Sequence, residues 1–251
     1  MGRYLLVIFL LVMLPLSAQA ETVYIQADRD NTLFEDPNGE SSNGSGPGFF
    51  VGRAAAGGAS PYTIRRGVIH FDVAQIPQNA IIEGVSLTLH LSNSSLDGPE
   101  TTVVSLHRLL DDWGEGASSA TGGLGDDAEQ GDATWVHMSY PDTFWAQEGG
   151  HFVARASAEQ VIGSFVSCQT FACHLAKNFY TWEDTNHLVQ DVRHWVHAPD
   201  RNFGWLLAGD ESIVRTARRF DSRENTNPQF RPVLSVTYRM PGENDEPGPG
   251  E

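Results

Sequence analysis

Residues 84–92 read GVSLTLHLS, so that Val85, Leu87, Leu89 and Leu91 alternate with Ser86, Thr88 and His90. Successive side chains of an extended chain point to opposite faces, and this pattern therefore fits a strand with one face in a core and the other outside it. The same period recurs. RRGVIHFDV (65–73) sets Ile69, Phe71 and Val73 on one side, and TTVVSLHRLL (101–110) repeats it. RPVLSVTY (231–238) turns Leu234, Val236 and Tyr238 one way and Val233, Ser235 and Thr237 the other. TVYI (22–25) reads as a further strand and FGWLLAGD (203–210) as a fully buried one. Loops rich in Gly, Asn, Ser and Pro separate them, notably 35–48 and 114–132.

Only DTNHLVQDVRHWVHAPD (184–200) carries helical spacing, through Leu188, Val189, Val192, Trp195 and Val196. Asp184 or Thr185 would cap it and Pro199 would stop it. Short strands, long polar loops and one helix predict an all-β fold: a jelly-roll-type antiparallel β-sandwich with one short crossing helix.

The first twenty residues have the build of an export signal. Arg3 supplies the positive start, Leu5 to Leu16 the apolar run, and Ala18-Gln19-Ala20 the small-residue cleavage site. That run is shorter than the roughly 20 residues a spanning helix needs. The expected organisation is a signal peptide over 1–20, cleaved after Ala20, a sandwich domain over 21–240 and a disordered acidic tail over 241–251. The expected protein is secreted, without membrane insertion. Its formal charge of −16 disfavours nucleic acid. Lys177 is the only lysine, so the positive residues are otherwise arginines. Two accounts stay open: arginines placed to meet carboxylates or rings, and a plain genomic bias for arginine. Cys168 and Cys173 in SCQTFAC are expected to form a disulfide after export, with a metal pair beside His174 as the weaker alternative.

Several stretches, in their order, resemble DNRLRE-domain proteins, exported bacterial β-sandwich modules. They are DNTLFEDPNGESSNGSGPGFFVGR (30–53), RRGVIHFDVAQIPQNAIIEGVSLTLHLS (65–92), VSLHRLLDDWGEG (104–116), GDATWVH (131–137), FWAQEGGHF (144–152), NFGWLLAGDES (202–212) and RRFDSRENTNPQFRPVLSVTY (218–238). The resemblance spans about residues 30 to 240. It implies a jelly-roll similar to carbohydrate-binding modules, some relatives of which bind polysaccharides such as alginate. The segment with Cys168 and Cys173 stands outside that pattern. Ser222, Arg223 and Glu224 match the family's most recognisable triplet.

Those three residues precede the last strand and invite two readings. As a structural lock, Arg223 would pair with a carboxylate beneath the loop and fix how the closing strand joins the sheet. As a ligand site, Arg218, Arg219 and Arg223 would form a basic groove for an acidic sugar polymer. Trp113, Trp135 and Trp145 are candidate stacking platforms for sugar rings, as is Trp182, although each also suits a core. Trp195 and Trp205 are assigned to the core. Tyr62, Tyr140 and Phe144 are weaker ring candidates. Asp111, Asp112, Glu115, Asp126, Asp127, Glu129 and Asp132 would matter to a glycosidase only if two faced each other across a bond. Asp28, Asp30, Asp36 and Asn38 could hold a structural calcium, without matching a defined loop. His187, His194 and His197 share the helix at a spacing that suits no chelate. His70, His90 and His107 fall on outward strand positions, where solvation or a polar binding platform is expected. No nucleophile motif, phosphate loop or dinucleotide fingerprint is present, and no cofactor is expected.

The function expected from these residues is a secreted, monomeric, non-catalytic module binding a polysaccharide, an acidic one such as alginate. A structural or adhesive matrix protein is the alternative, and a polysaccharide-degrading enzyme comes last.

Overall fold

The alternation at 84–92 belongs to a longer strand, Ile81–Ser94, around which the whole sheet is organised. The computed structural model describes residues 19–55 and 61–242, so nearly all of the signal segment and of the acidic tail lies outside it. Eleven strands make one hydrogen-bonded sheet, antiparallel throughout and curled over itself as an all-β sandwich. Along it run Glu21–Gln26, Val233–Arg239, Ile81–Ser94, Arg218–Asp221, Gly48–Arg53, Ile64–His70, Trp205–Ala208, Thr102–Arg108 and Ala158–Ile162. Phe179–Trp182 also pairs with Ile81–Ser94, and Arg29–Phe34 with Ile64–His70.

Two bulges let Ile81–Ser94 serve both halves. At Glu83 the register slips, since Thr237 faces Gly84 while Tyr238 faces Ile82, and both Ile82 and Val85 then point inward. At Ser92 it slips again, with Phe220 opposite Leu91 and Arg219 opposite Asn93. A bulge bends and twists its strand, which is how one strand turns a corner between layers. Up to Thr88 the strand pairs with Val233–Arg239, and beyond that corner with Arg218–Asp221.

The main core lies between the halves and includes Phe49, Ile69, Leu89, Trp182, Trp205 and Leu234, all fully buried. Asn186–His197 packs on it through Leu188, Val192, Trp195 and Val196. Thr185 is its cap, accepting from the Leu188 N–H at 3.0 Å, while Asp184 accepts from Val85 instead. A second helix, Phe171–Lys177, was not expected from the sequence. None of its residues is buried, so no apolar stripe announces it. It starts inside the Cys168–Cys173 disulfide, which is formed. No helix among the described residues is long and apolar enough to cross a membrane.

The strands Arg29–Phe34, Ile64–His70 and Trp205–Ala208 are covered on both faces. Leu33, Val68 and Leu206 point away from the main core into a second cluster with Leu109, Trp113, Trp135 and Trp145. The long polar segment after Arg108 thus folds back as a lid over the sheet's outer face. Of the two readings of these rings the core one holds, and they are not stacking platforms: Trp113, Trp135 and Trp145 are only 2%, 8% and 6% exposed. Each is held by its rim. The Trp113 indole N–H donates to Phe203 O at 2.9 Å and that of Trp145 to Thr134 O at 2.9 Å, and Arg66 lies 4.8 Å over the Trp135 ring. Trp182 is buried too, donating to Val104 O.

The same cover corrects the histidines. His70, His90 and His107 point outward along their strands yet are buried, because outward here means toward packed loops. His70 Nδ1 meets Asp28 at 2.6 Å, and His107 Nδ1 meets Val153 O at 3.0 Å. His90 lies between Asp221, at 2.6 Å, and His174 of the short helix, at 2.9 Å, with Phe230 stacked on its ring.

Candidate anion-binding cleft

The charged residues before the closing strand divide into three kinds. Arg223 is the lock. Its Nε and a terminal nitrogen donate to the two oxygens of Glu115 at 2.6 and 2.7 Å, and Nε also reaches Glu224 at 2.9 Å. Its backbone N–H donates to Asp30 at 2.8 Å, and the Asp30 N–H donates in turn to Glu115. Ser222, fully buried, donates to Gly46 O at 2.7 Å and accepts from the Glu224 N–H. The triplet therefore ties the approach to the last strand to the first half of the chain. Hydrogen bonds to Glu115 hold the Arg223 guanidinium firmly in its charged form. Burial, aided by the neighbouring Glu224 carboxylate, pushes Asp30 well above the usual carboxylate range, and burial raises Glu224 as well.

Arg218 is a brace. It is 1% exposed and donates to the carbonyls of Gly163 at 2.8 Å and Pro99 at 2.9 Å, and to those of Thr216 and Ala217. With its donors spent on backbone, it leaves the proposed ligand groove. Arg223 leaves it too, being committed to Glu115.

Arg219 is different. One terminal nitrogen donates to Ser92 Oγ at 2.6 Å, at the bulge, and lies 3.4 Å from Asp221. Its guanidinium sits 5.9 Å over the Phe50 ring. Its Nε is buried and has no partner among the described residues. Beside it opens a cleft of about 170 Å³, lined also by Phe50, Asn93, Ser94, Gly123 and Arg65. Arg65 packs on Phe34 at 4.9 Å and donates to Gly123 O and Ile64 O, and among the described residues no carboxylate is in salt-bridge contact with it. Burial lowers its pKa to about 10, against the weaker pull of Glu35. A second depression of about 220 Å³ shares Arg65 and Ala54 with the first and runs past Phe34 and the carboxylates of Glu35 and Asp36 to Tyr62 and Leu124. The two openings lie on either side of Arg65, which lines both.

Sequence reading singled out Arg219 but missed Arg65, Phe50 and Asn93. A signal was present: the pairs Arg65-Arg66 and Arg218-Arg219 both begin strands that flank Gly48–Arg53.

The remaining candidates do not converge. Asp111 pairs with His151, Asp112 with Arg29, and Glu115 with Arg223. Asp132, fully buried, accepts from the backbone of Ser118 and Glu129, while Asp126 and Asp127 form a short exposed strand. Of the calcium candidates, Asp28 pairs with His70, Asp30 belongs to the lock, and Asp36 accepts from Asn38 and Glu40 within its own turn. Among the described residues no group of three or more His, Cys, Asp or Glu is placed to hold a metal. His194 and His197 are exposed on the helix and His187 is half-buried there. Tyr140 and Phe144 pack against His137, whereas Tyr62 lines the second depression. No protein-family model matches the chain, and no curated protein matches it significantly.

Proposed function

We propose that the chain is an exported, non-catalytic carbohydrate-binding module of DNRLRE type, and that it takes an acidic polysaccharide such as alginate at the two openings that flank Arg65. The carrying observation is Arg219, which lines the cleft and whose Nε is buried without an acceptor among the described residues, beside an Arg65 that makes no salt bridge among them and feels only the weaker pull of Glu35. A donor left unsatisfied in that way costs free energy, and a ligand carboxylate in the cleft would draw the Arg219 guanidinium round to satisfy it. In a chain of formal charge −16, two arginines sharing one opening form a local positive island. Continuation toward Tyr62 offers a half-exposed ring, and because Glu35 and Asp36 also line that side, the acidic groups of the polymer would meet Arg65 and Arg219 while its neutral hydroxyls face Tyr62. The non-catalytic reading draws on the candidate carboxylates, several of which are spent on arginine, histidine or backbone partners. Export is supported by the formed disulfide, which suits an oxidising compartment.

Electrophoresis through gels holding alginate tests the proposal. The wild-type protein should be retarded, Arg219→Ala should lose most of that retardation while still folded by circular dichroism, and the polymer should stay unshortened. Wild-type mobility unaffected by any uronate polymer, or an Arg219→Ala variant retarded as strongly, would overturn it.

A further inference from the structure

The outer face of Glu21–Gln26, Val233–Arg239 and Ile81–Ser94 offers a second opening of different chemistry. Tyr24 is 73% exposed there, with Ser235 opposite it and Ser86 opposite Ser235. Neighbouring strands lie about 4.8 Å apart, so ring, hydroxyl and hydroxyl form a straight row across the sheet. In the adjacent row Thr22 faces Thr237, and Thr237 faces Gly84. Gly84 leaves a hollow: a Cβ there would sit 3.5 Å from Asp184 Oδ2 and 3.6 Å from the Thr237 Cβ. The resulting depression, about 220 Å³, is lined by Gly84, Ser86, Asp184, Ser235 and Thr237. Asp184 is fixed through Oδ1, which accepts from the Val85 N–H at 3.1 Å, and its Oδ2 is left on the Gly84 side.

We infer that this platform holds one neutral sugar residue of a glycan chain, independently of the arginine cleft. A pyranose has an apolar C–H face for the Tyr24 ring and hydroxyls at its rim. Ser86 and Ser235 can exchange hydrogen bonds with those hydroxyls, and Asp184 Oδ2 can accept from them. The lining excludes other classes. Among the described residues no arginine or lysine lines the hollow, so a uronate finds no counter-charge there to offset Asp184. A wholly apolar ligand would strand the hydroxyls and the carboxylate without partners.

Native electrophoresis in gels containing dextran, galactomannan or mixed-linkage β-glucan tests the inference with wild type, Tyr24→Ala, Gly84→Val and Arg219→Ala. Valine is a good strand residue and at 84 fills the hollow without entering the core, so both platform variants should fold, checked by circular dichroism. At least one neutral polymer should retard wild type and Arg219→Ala alike. On it, Tyr24→Ala and Gly84→Val should each lose about tenfold in apparent affinity, the scale of one lost stacking contact. Wild type retarded by none of the three, or either platform variant migrating as wild type does, overturns the inference. Alginate gels report on the cleft and neutral gels on the platform, so either reading can fail alone.

Discussion

At Arg223 one guanidinium serves two glutamates while its own N–H meets a third carboxyl group, that of Asp30. Removing it leaves Glu115 and Glu224 facing each other in a half-buried site. Breaking a fully buried pair costs about 3–5 kcal/mol. The Arg223 side chain is 39% exposed, so solvent screens part of that and about 2–3 kcal/mol is the fitting figure. Arg223→Ala should therefore lower the melting temperature by roughly 5–10 °C, measurable by calorimetry, and an unchanged value would refute the lock. Asp30 gives the lock a pH dependence. Its folded-state pKa is raised, so the folded chain binds the proton more tightly than the unfolded one. That contribution is fully present below the ordinary aspartate pKa and is lost as pH rises toward the raised value. Asp30→Asn keeps an acceptor for the Arg223 N–H and removes the titration. Relative to wild type, the variant should gain stability from about pH 4 upward, and equal stability curves for the two proteins would contradict this. The triplet 222–224 was legible through its resemblance to a known pattern. Its partner Glu115 was not, because nothing in a sequence pairs side chains so far apart.

At the scale of elements, the strands were legible because a one-sided core imposes a period of two. Leu234, Val236 and Tyr238 face inward as their alternation required. The bulges at Glu83 and Ser92 were hidden, since one unpaired residue leaves no mark on composition. Nor did alternation show that loops cover the outer faces, which is why three strand histidines and three tryptophans proved buried. The short helix Phe171–Lys177 poses its own question of stability. Seven residues with no buried face are too few to hold a helix in water. Its supports are the Thr170 cap, the contact between His174 and His90, and the disulfide. Closing so small a loop removes about 2 kcal/mol of unfolded-chain freedom at most. In a Cys168→Ser, Cys173→Ser double variant, amide exchange over 171–178 should quicken at least about tenfold, while Ile81–Ser94 keeps its protection. Exchange unchanged in the helix would show that the aromatic contacts alone suffice.

Across the whole molecule the two readings of its charge have to be reconciled. A body of formal charge −16 repels a polyanion at long range, while Arg65 and Arg219 attract it only at contact. Salt acts differently on these terms. Screening over the Debye length, about 8 Å at physiological ionic strength, removes repulsion between distant exposed charges first. Arginines packed on Phe34 and Phe50 at a sheltered opening are screened less. The association rate with an oligouronate should accordingly rise as salt is raised from about 10 to about 150 mM, opposite to a basic protein meeting the same ligand. The dissociation rate should change less over that range, because the bonds at Arg219 Nε are short-ranged. Arg219→Ala should speed dissociation and leave the salt slope of association nearly as it was, since one charge alters the total field little. Surface-based binding kinetics separate the two rates. An association rate that falls steadily with salt would mean that the field at the groove is positive at long range, and that the acidic body does not govern the approach.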